Sequence, residues 1–238
     1  MANSYFQFKQ FTIWHDQCAM KVGTDSVLLG AWTDFSNATN ILDIGTGTGI
    51  LALMAAQKAP QAIIDAIEID AAAVVQAQEN ISQSRWENRI TVYHKSLQKY
   101  AIETNKKYDV IISNPPYFQR ALKSPNQQRT IARHDNHLDI YTLLKTAYNL
   151  LKTNGRINII LPVQDSDSVI HIAMSIGLGC CHQTFVRPTQ NAHYKRCLLC
   201  FSNILLPYKQ NELTIETSVR HIFTDEYKQI TKDFYLNF

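Results

Sequence analysis

The chain has 238 residues, 45% of them hydrophobic and 18% charged, and carries a formal net charge of +3. That length and apolar content suffice for one full core, so a single α/β domain is expected rather than a disordered or fibrous chain. No apolar run approaches the ~18 residues that a membrane-spanning helix needs, and the charge is too small by itself to argue for a nucleic-acid partner.

Residues 1–38 read as an N-terminal extension. Met1-Ala2-Asn3-Ser4-Tyr5 lacks the charged-then-apolar layout of a secretory signal, so a cytoplasmic location is expected. Little helical periodicity is visible here. Lys21, Thr24 and Asp25 form either a lid over a site or a plain turn; Trp14 and Trp32 read as packing residues, and His15 and Asp16 receive no role.

The core, about residues 39–205, opens with Asn40-Ile41-Leu42-Asp43-Ile44, a short apolar strand, followed by Gly45-Thr46-Gly47-Thr48-Gly49 and a helical pattern from Ile50. Glycines at such a turn let a ligand approach the backbone closely and leave helix-end N–H groups free to bind it. The spacing is G-x-G-x-G. The third glycine of a dinucleotide fingerprint would fall at Ile50, which weakens a nicotinamide reading. A second strand, Ile63–Ile67, ends in Glu68, where a doubly wound sheet presents an acceptor to ribose hydroxyls. Asp70 is placed as the cap of a helix from Ala71 to Gln83. Ile90–Tyr93 reads as the third strand and Asp109–Ser113 as the fourth.

Asn114-Pro115-Pro116-Tyr117 follows that fourth strand. The Asn114 side chain and the Pro115 backbone each offer a carbonyl acceptor, and neither proline has an N–H to compete. Tyr117 adds a flat π-face. Such a turn can accept both hydrogens of a planar –NH2 group while a ring stacks on its owner. Holding both N–H bonds as the nitrogen becomes tetrahedral frees a lone pair otherwise delocalised. A rigid Pro-Pro turn is the bland alternative.

Beyond the turn, Asp139 starts a helix with apolar positions Ile140, Leu143, Leu144, Ala147, Leu150 and Leu151, and Gly155 is placed as its C-terminal glycine. Arg156–Leu161 is the fifth strand, and another helix begins near Asp165. Cys181–Val186 and Arg196–Asn203 are expected to close the sheet as a hairpin, with a C-terminal extension over about 206–238. Alternating strands and helices with short connections imply a mainly parallel, doubly wound sheet. Cys197 and Cys200 form C-x-x-C, yet within a strand residues three apart face opposite ways. They are read as buried thiols, and no metal site is expected.

Asp43-Ile44-Gly45-Thr46-Gly47-Thr48-Gly49, then Glu68, then Asn114-Pro115-Pro116-Tyr117, resembles the Rossmann-like S-adenosylmethionine-dependent methyltransferases that modify planar amino groups. Three flanking stretches, Met20–Trp32, Ala132-Arg133-His134 and Asp233-Phe234-Tyr235-Leu236, narrow the resemblance. They are similar to the bacterial branch acting on adenine N6 in valine tRNA, next to the anticodon. The resemblance implies a class I fold with a seven-stranded sheet whose last strand is antiparallel. It also implies cofactor contacts from Asp43, Gly45, Thr46, Gly47, Gly49, Glu68, Ser96 and Asn114, with S-adenosylhomocysteine as product. Ser96 stands where the family often has an acid that reads the cofactor adenine, so a weaker acceptor or the backbone takes that part. The target base would stack on Tyr117, flanked by Phe118, with Asn114, Pro115, Pro116 and Tyr117 as the catalytic turn.

Residues 116–134 contain Arg120, Lys123, Arg129 and Arg133 and no acid, and residues 180–210 contain Arg187, Lys195, Arg196 and Lys209 and no acid. Of these, Arg120, Lys123, Arg133, Lys195 and Arg196 are the candidates for RNA phosphate contacts. These two acid-free basic runs point to a polyanion, and the resemblance implies that the partner is the anticodon loop of a tRNA, with no membrane and no obligate protein partner. A glutamine amide of a translation release factor, a guanine N2 of ribosomal RNA and a DNA adenine are the alternative targets. A cofactor-binding module without transfer is disfavoured by the intact Asn114–Tyr117 turn.

Overall fold

The computed structural model describes residues 3–17, 21–116 and 138–237. The chain begins with a hairpin, β1 (Tyr5–Gln7) and β2 (Thr12–Trp14), then helix α1 (Thr24–Trp32). The core follows as β3 (Asn40–Ile44), α2 (Ile50–Lys58), β4 (Ile63–Glu68), α3 (Ala71–Ser82), β5 (Ile90–His94), α4 (Leu97–Glu103) and β6 (Tyr108–Ser113). After the turn come α5 (Ile140–Leu150), β7 (Leu151–Pro162), α6 (Ser166–Ser175), β8 (Gly179–Thr189), β9 (Arg196–Ser202), β10 (Lys209–Glu216) and α7 (Asp225–Thr231).

The sheet order is β10-β8-β9-β7-β6-β3-β4-β5. β3, β4, β5, β6 and β7 pair in parallel, while β9 runs antiparallel to both β7 and β8. The class I arrangement is therefore present, and its seventh core strand is the antiparallel one. The sheet has eight strands rather than seven, because β10 adds to β8 in parallel register from Lys209↔His182 onward. Its addition satisfies the backbone groups that β8 would otherwise expose at the sheet edge. β10 escapes a pattern reading because Leu213 is its one fully buried residue.

Helices cover both faces. Leu28, Leu53, Ala77 and Tyr227, from α1, α2, α3 and α7, share one apolar cluster with the hairpin residue Ile13. Tyr100, Leu144 and Ala173, from α4, α5 and α6, build the other. The expected cap at Asp70 is formed, accepting from the Ala73 amide at 2.8 Å. Asp139, read as the start of a helix, is the cap of α5, accepting from the Thr142 amide at 2.9 Å. α1 was not legible because Val27, Leu28, Leu29, Gly30 and Ala31 are all buried, so no polar face alternates with an apolar one.

Gly155 is not a helix C-terminal glycine. α5 ends at Leu150, Leu151 enters β7 directly, and it is Asn154 that adopts the left-handed conformation with φ 68°. Gly155 is instead required by close packing: a Cβ there would lie 2.8 Å from Leu151 Cδ2, 2.9 Å from Lys152 O and 3.0 Å from Tyr108 O. Cys197 and Cys200 lie in β9 as buried free thiols, and Cys200 sits 3.4 Å from the Cys181 sulfur. Trp32 packs on His182 and donates to Thr184 Oγ1 at 3.0 Å, as a packing residue should. No helix among the described residues is long and apolar enough to cross a membrane.

Candidate active site

Strand order reverses between β3 and β6, β4 and β5 lying to one side and β7 to the other. In such sheets the crevice beyond the carboxyl ends of the strands at this reversal is where ligands bind. The glycine turn leaves β3 there and Asn114 leaves β6 there. Backbone pairing between the two strands ends at Asp43↔Ile112. One step further, the buried Ser113 hydroxyl donates to the Ile44 carbonyl at 2.8 Å.

The turn itself is shaped by three left-handed glycines, Gly45 at φ 69°, Gly47 at 55° and Gly49 at 82°. A side chain at any of them would strain the backbone. Gly45 and Thr46 amides donate to the Ile67 carbonyl of β4 at 2.9 and 3.1 Å, which pins the turn over the sheet end. An added Cβ at Gly45 or Gly47 would meet nothing within 4 Å, so space stands open above the turn. Gly49 N-caps α2, and a Cβ added there would lie 3.5 Å from Ala77 Cβ and from Ile81 Cδ1 of α3.

Asp43 is fully buried at the end of β3. Its Oδ2 accepts from Thr46 Oγ1 at 2.5 Å. Its Oδ1 is buried with no hydrogen-bond partner among the described residues. Burial pushes the carboxyl up to about 7, and the nearby Glu68 charge adds to the rise against the Thr46 hydrogen bond. An orphaned buried carboxylate oxygen costs free energy unless a donor reaches it, and a ligand ammonium is such a donor. Glu68 ends β4 as expected. Its carboxylate accepts from the Gly47 amide at 3.0 Å and from the Ile69 and Asp70 amides at 2.7 and 3.0 Å. Ser96 sits just past β5, where its hydroxyl caps α4 by accepting from the Lys99 amide at 3.2 Å. The donor set, the open space over the turn and the orphaned oxygen together fit a ligand with an ammonium, a carboxylate and ribose hydroxyls.

Asn114 is half-buried, Pro115 buried and Pro116 exposed. The Asn114 Nδ2 donates to Ser26 Oγ of α1 at 2.9 Å, across 88 residues of sequence. Ser26 lies within the Met20–Trp32 stretch that narrows the resemblance, but the sequence marks no site role for it, because the helical character of α1 is hidden there. Tyr117, Phe118, Arg120, Lys123, Arg133 and His134 lie outside the described residues. Lys195 is exposed. Arg196 is an internal strut, its Nε donating to Asp25 Oδ2 at 2.8 Å, which ties β9 to the first turn of α1. Both basic residues line a cavity of ≈ 420 Å³ whose other walls include Thr24, Asp25 and Leu28. Thr24 and Asp25 thus begin a helix rather than a turn. No group of three or more metal-ligating side chains occurs among the described residues.

The family model for the methyltransferase small domain matches residues 18–174. The chain belongs to the methyltransferase small-domain family. Its relatives extend this over the whole length. It is 48% identical over 237 residues to a protein from Parabacteroides distasonis named tRNA1(Val) (adenine(37)-N6)-methyltransferase, covering 99% of each chain. A protein of the same name from Trichodesmium erythraeum is 45% identical over 240 residues, covering 100% of each. Among solved structures, an Agrobacterium tumefaciens protein described as a predicted O-methyltransferase superposes with a TM-score of 0.70 at 18% identity, covering 88% of this chain and 96% of its own. A ribosomal protein L11 methylase from Lactobacillus delbrueckii gives 0.53 at 17% identity, covering 74% and 76%. At those identities the structures share the class I methyltransferase fold. In this methyltransferase the Asn114 turn and the Gly45–Gly49 turn lie together at the carboxyl ends of β6 and β3, where the strand order reverses.

Proposed function

We infer that the chain is an S-adenosylmethionine-dependent methyltransferase that methylates the exocyclic N6 amine of an adenine in tRNA, next to the anticodon of valine tRNA. The observation carrying this reading is the juxtaposition, at the β3–β6 reversal, of an Asn-Pro-Pro turn with a glycine turn beside an orphaned Asp43 oxygen. Substrate identity is supported by the shared name of relatives that match the chain from end to end.

Asp43 would take the cofactor ammonium, the Gly45, Thr46, Gly47 and Gly49 turn its amino-acid end, and Glu68 its ribose hydroxyls. Ser96, or the backbone beside it, would read the cofactor adenine. When bound, S-adenosylmethionine supplies an electrophilic methyl carbon on a sulfonium and is left as S-adenosylhomocysteine. The chain's part is positioning, which is most of what such a reaction needs. Asn114 Oδ1 and the Pro115 carbonyl would accept the two amine hydrogens and hold the lone pair in line. Tyr117 and Phe118 would stack on the base, whose extraction costs least from a single-stranded loop. Arg120, Lys123, Arg133 and Lys195 would meet phosphates, and Arg196 would do so from its ion pair with Asp25. The excess proton leaves after methylation, so no strong base is required.

A release-factor glutamine target is disfavoured by the shared name of the relatives, which match the chain from end to end. The test is to offer labelled cofactor to separate pools of tRNA, ribosomal RNA, DNA and protein and to map the modified nucleoside. N6-methyladenosine beside the valine anticodon supports the reading. Label on guanine N2, DNA or protein refutes it.

A further inference from the structure

We propose that Ser26 is a positioning residue for methyl transfer: it fixes the Asn114 carboxamide so that its carbonyl end, not its amino end, meets the substrate amine. The inference rests on the reading of Asn114 given above and deepens it.

An asparagine side chain has two chemically opposite ends on one plane, and its final torsion is broad and nearly two-fold. Left alone, the amide presents N–H2 or C=O to a neighbour with little preference. Only the C=O end can accept from an amine. The Asn114 Nδ2 is engaged by Ser26 Oγ at 2.9 Å, which turns Oδ1 away from α1. The proline that follows cannot help, since it has no N–H to donate.

A positioning contact is useful only if its own platform is fixed, and α1 is fixed at three points. At its start, Asp25 pairs with Arg196 at 2.8 Å. In its middle it presses on α2 at Gly30, where an added Cβ would fall 2.6 Å from Met54 Sδ. At its end, the Lys58 ammonium donates to the carbonyls of Gly30, Ala31 and Thr33 at 3.3, 2.6 and 2.6 Å. The Arg196 strut thus serves the site from behind, by seating the helix that carries Ser26.

The experiment compares Ser26→Ala and Ser26→Thr with the wild type and with Asn114→Ala, on the full chain with tRNA and cofactor. It reads kcat, the KM for tRNA, cofactor affinity by calorimetry, and Tm. We expect Ser26→Ala to lower kcat about tenfold, the equivalent of ~1.4 kcal/mol. KM, cofactor affinity and Tm should stay near wild type, and Ser26→Thr, which keeps the hydroxyl, should restore most of the rate. If Asn114→Ala is inactive while Ser26→Ala keeps the wild-type kcat, the positioning role is wrong and the site reading stands. If the Ser26→Ala loss comes with a raised KM or lowered Tm and threonine does not restore it, Ser26 is structural and the proposal fails. Should Asn114→Ala itself keep full activity, the site reading falls first.

Discussion

The Ser113 hydroxyl donates to the Ile44 carbonyl at 2.8 Å, joining the last residue of β6 to the last residue of β3. The two turns proposed to carry the chemistry, at Asn114 and at Gly45, begin at the residues that follow Ser113 and Ile44. This side-chain bond continues the ladder where backbone pairing has ended, and so sets the separation of the two turns. Ser113→Ala should cost about 1 kcal/mol of stability, as for a typical buried hydrogen bond. It should also lower kcat more than it weakens cofactor binding. Denaturant unfolding and steady-state kinetics check this; an unchanged kcat would show that the bond is merely structural.

If Asp43 holds the cofactor ammonium as proposed, cofactor binding should depend on pH. Its carboxyl is raised to about 7 by burial, above the ordinary 3.8 of an unfolded chain. Protonation therefore favours the folded free protein, a contribution complete below the unfolded value and lost as pH rises through about 7. An ammonium ligand needs the ionised form. Affinity for S-adenosylmethionine should then fall about tenfold per unit as pH drops below ~7, with a proton released on binding. Calorimetry in buffers of different ionisation enthalpy measures both. Asp43→Asn should abolish the slope, and a flat profile in the wild type would separate Asp43 from the ammonium.

Gly155→Ala should destabilise the protein by about 1–3 kcal/mol, because the new methyl has backbone oxygens of Lys152 and Tyr108 at 3.0 Å or less. The Leu151 side chain can shift, whereas the two carbonyls belong to β6 and β7. A midpoint of unfolding equal to the wild type's would contradict the packing account.

Removing Arg120 and Lys123 together should weaken tRNA binding and flatten its salt dependence. For two phosphate contacts on single-stranded RNA, the slope of log affinity against log salt should fall by about 1.4. An unchanged slope would take both residues out of the interface.

The sequence made the local structure around the glycine turn legible because each of its parts has a local signature. Gly45, Gly47 and Gly49 advertise a left-handed turn, Glu68 ends an apolar strand, and Asp70 precedes a helical pattern. Contacts between distant segments left no such mark. Ser26 meets Asn114, and Asp25 meets Arg196, only after α1 packs into the core with its whole middle buried. β10 was hidden for the opposite reason, as an edge strand made mostly of exposed polar residues. Gly155 misled because a glycine after an amphipathic helix has two explanations, conformational and steric. Here Asn154 takes the turn, and Gly155 yields the space.

The most direct measurement is single-turnover methyl transfer by Asn114→Ala, made beside a calorimetric titration of the same variant with S-adenosylmethionine. The account predicts that transfer to valine tRNA is abolished while cofactor affinity stays within a few-fold of wild type. A variant that still methylates adenine N6 at near the native rate would contradict it.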